Sequence, residues 1–198
     1  MRIHDPDVVY TDLGLAILGA VFAWRLWKQP TRTSLTTIGG VIMAALASAA
    51  LFGAIFHAFF PANTTTRAGF VAWIPVSLSI LTVASALLSL GLRLLVPQLS
   101  TRVRRIVVAM YALSFAFVVL FVDESYGTIV RFYAPTLILF LIAAVRQATR
   151  TAVERNSWWL LALAFGLSIV AALSQQARIA IHPVYFDHNA LYHVLQGI

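Results

Sequence analysis

The sequence predicts an all-α fold: a polytopic transmembrane helix bundle of six full helices and a short or truncated seventh. Three observations carry that prediction. The chain of 198 residues is 61% hydrophobic and only 11% charged, whereas soluble domains average roughly 45–50% apolar and 25% charged residues. Six apolar runs approach or exceed the length of about 20 residues that a helix needs to cross about 30 Å of hydrocarbon. The connections between them are short and carry turn or interface residues, as in Gln29-Pro30-Thr31, Pro61-Ala62-Asn63-Thr64, Pro97-Gln98 and Asp123-Glu124-Ser125-Tyr126.

The first run spans Tyr10 to Trp27. Acids precede it, Arg25 and Lys28 stand at its far end, and no small-residue cleavage site follows, so it reads as an uncleaved helix rather than a signal peptide. Asp12, after Thr11, is expected to be its N-cap, a role compatible with a place in a site. The second run, Leu35 to Phe60, is rich in small residues. Ala45, Ala49, Gly53 and His57 recur at intervals of four, a close-packing ridge that leads to His57. The third, fourth and fifth runs are Ala68 to Leu95, Val103 to Val122 and Gly127 to Val145. Pro75 and Pro135 inside them are expected to mark kinks, which lipid-embedded helices tolerate. The sixth run, Ser157 to Arg178, has Asn156 as its expected cap. Beyond Pro183 a seventh helix should begin near Asp187. The eleven residues left before the end at Ile198 rise only about 16 Å, so this helix is expected to be short and shielded by protein, or truncated. No internal repeat or long soluble segment interrupts the chain, which predicts a single transmembrane domain over 1–198. Trp24, Trp27, Trp73, Trp158 and Trp159 lie near run ends and read as interfacial anchors.

The formal charge of +7 does not point to nucleic acid, because the basic residues cluster between apolar runs. Ten of the fourteen Lys and Arg residues follow runs one, three and five, which makes those loops cytoplasmic and the N-terminus extracytoplasmic. The outer end then holds all five histidines and every acid except Glu154. With no cysteine, disulfides and thiolate metal sites are excluded. The chain also lacks a Gly-rich phosphate loop, a G-x-S-x-G elbow, an H-E-x-x-H motif and an intramembrane lysine.

Chemistry concentrates in the stretch Tyr185 to His193. As a helix it places Asn189 and His193 on one face and His188 and Tyr192 on another, with Asp187 as the cap. An ionisable group in a spanning helix is a functional-site hypothesis by default. His57 and His193, with His188 or Asp187, could supply three zinc ligands and leave a fourth position for water. Asp12 or Asp187 would orient or deprotonate that water, and Tyr192 would hydrogen-bond the oxyanion. The competing role for each is structural: hydrogen bonding between helices for His57, solvent exposure for His188 and interfacial packing for Tyr192. His4 and His182 read as surface or loop residues, Asp123 and Glu124 as a solvated loop. Asp5 and Asp7 are a weak cation-binding signal. Gln175, Gln176 and Arg178 could line a polar mouth.

With His57 near the end of the second helix and His193 in the seventh, the arrangement resembles the seven-helix superfamily of alkaline ceramidases and progestin and adipoQ receptors, the CREST group. The resemblance implies zinc-dependent hydrolysis of lipid amide or ester bonds. Here Asn189 stands where that group has its other helix-seven histidine, Gly53 stands in place of its serine, and its acid after the helix-two histidine has no counterpart nearer than Asn63 and Thr64. The chain also resembles bacterial seven-helix proteins with a Thr-Asp start to the first helix, here Thr11-Asp12, and a seventh that begins with Asp187, His188 and Asn189 and continues to His193. Two functions are therefore expected from the sequence: a zinc hydrolase of membrane lipids, or a non-catalytic protein that binds lipid, partner helices or a second copy of itself through a polar network.

Overall fold

The computed structural model describes residues 3–31, 33–60, 66–152, 154–182 and 185–198. Arg32, the Pro61 to Thr64 turn with Asn63, and Pro183 lie outside the described residues. The helices are α1 (Pro6–Trp27), α2 (Ser34–Phe59), α3 (Arg67–Leu95), α4 (Thr101–Phe121), α5 (Tyr126–Arg150), α6 (Arg155–Gln176) and α7 (His188–Gly197). Six of them are long and apolar enough to cross a membrane. With ten residues, α7 rises only about 15 Å. The chain is thus an all-α, multi-pass membrane protein with a short seventh helix.

Helix starts follow local chemistry. Pro6 occupies the first turn of α1, where its missing N–H costs nothing. The helix therefore begins before Tyr10, and Asp12 is not its N-cap but a buried residue of the second turn. Thr33, Ser100 and Ser125 cap α2, α4 and α5 through their hydroxyls. Asp123 is more than a solvated residue. It accepts the Ser125 N–H and the Thr128 hydroxyl, and these donors, Thr128 first, hold its carboxyl below the usual range. Asn156 falls inside α6 rather than at its cap. That helix closes with paired bonds from Arg178 N–H to the Gln175 carbonyl and from Ile179 N–H to the Ser174 carbonyl. The closure puts Arg178 in the left-handed region, at φ 54°.

Pro75 and Pro135 lie within continuous helices. Nearby hydroxyls engage the carbonyls around them: Ser77 donates to Trp73, Thr136 to Tyr133 and Tyr111 to Phe132. This is how lipid-embedded helices accommodate a missing N–H.

The chain divides into two compact units, Met1–Ile80 with Ser168–Ile198, and Leu81–Leu167. In the first, α1 and α2 pack closely and antiparallel. Asp12 meets Gly53, Gly19 meets Ala47 and the Met43 carbonyl, and Trp27 meets Gly40, so partners descend α2 as α1 ascends. The small-residue ridge of α2 is thereby used against α1, with Ala45 and Gly53 buried. In the second unit Phe115 stacks on Phe132 at 4.8 Å, and Trp158 packs with Ala144, Ala148 and Ala162. Trp24, Trp27 and Trp159 are exposed, as interfacial anchors would be. Trp158 and Trp73 are not, each only 8% exposed; Trp73 packs on Phe56 at 5.0 Å. A position near a helix end does not determine which way a ring faces.

Three substitutions have predictable effects on stability. A Cβ at Gly19 would stand 3.0 Å from the Met43 carbonyl and 3.1 Å from Ala47, so Gly19→Ala should destabilise by about 1–3 kcal/mol. Gly14→Ala, with nothing within 4 Å of the added carbon, should be neutral or better in the same detergent unfolding measurement. Arg178→Gly should stabilise by about 1 kcal/mol, because glycine adopts positive φ without the steric cost.

Candidate functional site

The polar side chains of the first unit gather where α1 begins, α2 ends and α7 begins. Asp12 is carried into the α1–α2 contact and is only 3% exposed. Its Oδ1 lies 3.3 Å from Nδ1 of His193 on α7, whose side chain is 13% exposed. The same Nδ1 is 3.3 Å from the Thr11 hydroxyl.

Thr11 and Asp12 face the same ring nitrogen. The Thr11 hydroxyl has one proton, and the Asp7 and Val8 carbonyls, each 3.0 Å away, take it. Toward His193 the hydroxyl oxygen is therefore an acceptor. A hydrogen on Nδ1 then faces two oxygens, the Thr11 hydroxyl as hydrogen-bond partner and Asp12 Oδ1 as an ion contact, and the lone pair of the neutral ring is left on Nε2. This tautomer is assigned from the hydrogen-bond network.

The other histidines have carboxylates of their own. His57 Nδ1 lies 3.5 Å from Asp5 Oδ2, with the Phe56 ring edge-on to the imidazole at 5.7 Å. His188 Nδ1 is 3.7 Å from Asp187 Oδ2, an ion contact too long for a hydrogen bond. Asp187 acts chiefly as the expected cap: its Oδ1 accepts the N–H groups of Asn189 and Ala190 at 2.8 and 2.9 Å. Its own N–H donates to Asp7 Oδ2 at 2.9 Å and ties α7 to α1. Asn189 donates to Asp187 Oδ2 at 3.3 Å and accepts from Gln175 of α6 at 2.9 Å. Tyr192 accepts a hydrogen bond from Gln196 at 2.8 Å, and its ring lies 5.3 Å from that of His193. His182 accepts the Tyr185 N–H in the α6–α7 connection.

The structure thus brings Asp12 and His193 together, and places Asp187 and His188 at the start of the same helix. Among the described residues no three His, Asp or Glu side chains are placed to hold a metal ion. His57, His188 and His193 each face a different carboxylate, and among the described residues no three of these groups converge on one point. Thr11 as an acceptor for His193, and Asp5 and Asp7 as partners of α2 and α7, were not evident in the sequence. Their partners are up to 182 residues away, and no local spacing reports such a contact.

The arrangement can do one thing directly: a carboxylate fixes an imidazole with its second nitrogen available to take a proton. Residues 8–198 match the model of a family of unknown function, DUF6962, and the chain belongs to that family. No curated protein and no solved structure matches it. The matched region includes Thr11, Asp12, Gly53, His57 and His193.

His193→Ala removes the partner of a buried carboxyl and should destabilise by about 3 kcal/mol. His188→Ala, at a side chain 32% exposed, should stay within about 0.5 kcal/mol in the same unfolding assay.

Proposed function

We propose that this member of the family is a membrane-embedded hydrolase of lipid amide or ester bonds, with His193 as general base and Asp12 as the carboxylate that orients it. The observation that carries the reading is the shared contact of His193 Nδ1 with Asp12 and Thr11, which leaves Nε2 as the basic nitrogen. Nε2 would take a proton from water as the water oxygen attacks the substrate carbonyl, and Asp12 would stabilise the imidazolium that forms. Collapse of the tetrahedral intermediate returns that proton to the departing amine or alcohol. Tyr192 would donate to the oxyanion. A lipid substrate suits the surroundings, since α1, which carries Asp12, is a spanning helix with exposed apolar residues at Tyr10, Leu13 and Ile17.

A second reading draws on a different observation. Asp7, Asp187, Asn189 and Gln175 form a continuous hydrogen-bonded chain that joins α1, α7 and α6. In that reading the polar residues hold helices together, and the protein binds lipid or partner helices without turning over substrate.

Purified protein incubated with lipid amides and esters separates the two. The hydrolase reading expects turnover that falls about 10²- to 10⁴-fold in His193→Ala and Asp12→Asn, persists in His188→Ala, and survives chelation. Loss on chelation would move the chemistry to a metal. No turnover in a folded wild-type protein would favour the non-catalytic bundle.

The distribution of Lys and Arg supports an extracytoplasmic N-terminus and site. With no cysteine in the chain, Arg104→Cys should label only after cells are permeabilised. Labelling from outside intact cells would reverse the orientation.

A further inference from the structure

The Asp12 carboxyl has a partner on one side only. Oδ1 meets His193, but Oδ2 is buried with no hydrogen-bond partner. What adjoins it is Gly53 of α2. A Cβ built there would stand 2.9 Å from Oδ2, too close for that oxygen to stay, and at ordinary contact from Cγ and Oδ1, 3.5 and 3.6 Å away.

This contact differs from the close approach of the two helices at Gly19. At Gly19 the nearest atoms belong to the backbone and to the Ala47 methyl, so that glycine serves helix packing. At Gly53 the three nearest atoms all belong to the Asp12 carboxyl. Around it α2 uses alanine wherever a small residue suffices, at Ala45, Ala49, Ala50, Ala54 and Ala58. Glycine is among the poorest helix formers, yet it occupies the position opposite the carboxyl.

We propose that Gly53 is a positioning residue: its bare Cα is the seat that turns Asp12 Oδ1 toward His193 Nδ1 and so sets the tautomer of the ring. An aspartate on a helix has two side-chain torsions and few open rotamers. A methyl at position 53 would force the carboxyl to rotate, and the Asp12–His193 contact, already 3.3 Å long, would open. The consequence for hydrolysis rests on the general-base reading above; the positioning itself does not.

The test is nitrogen NMR of ¹⁵N-histidine-labelled protein in detergent, with the His193 signal identified by its loss in His193→Gln. Wild type should show hydrogen on Nδ1. Gly53→Ala should shift the population toward hydrogen on Nε2 and, where the wild type turns over lipid, cut turnover about a hundredfold. In an Asp12→Ala background the same change should leave the tautomer unmoved and raise the thermal midpoint, because only the gain in helix propensity remains. Should Gly53→Ala alone fail to fold, folding of the Gly53→Ala/Asp12→Ala double variant would support the same conclusion. A tautomer shift in a protein without hydrolytic activity would support the positioning role and remove the hydrolase reading. An unchanged His193 spectrum in Gly53→Ala, or an equal loss of stability in both backgrounds, would reduce Gly53 to a packing residue and overturn the proposal.

Discussion

A carboxyl group between two membrane-spanning helices has to find its partners in protein, because hydrocarbon supplies none. Asp12 is in that position, and the end of the first unit where α1 and α7 begin is arranged around it. His193 reaches it from α7, Thr11 shares the imidazole hydrogen, and Gly53 vacates the space the carboxyl fills. The same need explains the docking of a helix too short to span. Asp7 holds the Asp187 N–H, Asp187 holds two N–H groups of α7, and Gln175 holds Asn189. These bonds place His193 one turn beyond Asn189 on the same face of α7.

Burial also separates the histidines in chemical character. Asp12 and His193 lie in low dielectric, where a paired carboxylate and imidazole interact strongly. His57 and Asp5 lie nearer the surface, with side chains 20% and 42% exposed, and His188 is 32% exposed. Solvent weakens both of those contacts. The imidazole–carboxylate pair best shielded from solvent is therefore the one on α1 and α7, not the more visible cluster at the start of α7.

What the sequence makes legible is what a bilayer or a local bond dictates. Run length alone reveals six spans, since hydrocarbon thickness sets a minimum for each. Asp187 is readable as a cap because the N–H groups that donate to it lie two and three residues away. Asp12 was misplaced for a local reason: the start of the apolar run was taken as the start of the helix, while Pro6 marks the true first turn. Trp73 and Trp158 mislead because a helix end says nothing about which face is buried. The Asp12–His193 contact joins opposite ends of the chain and is a property of the fold alone. Gly53 stood in the sequence as a departure from the serine of a resembling superfamily. In the structure the missing side chain has a physical reason, the carboxyl seated against it.

The most direct test of the Asp12–His193 pair is the infrared spectrum of the Asp12 carboxyl, identified with ¹³C-labelled aspartate by the band lost in Asp12→Asn. If the pair forms as described, that band shifts in His193→Ala and keeps its position in His188→Ala. A band unmoved by loss of His193 would mean that Asp12 is buried without this partner, and the general-base site would have no foundation.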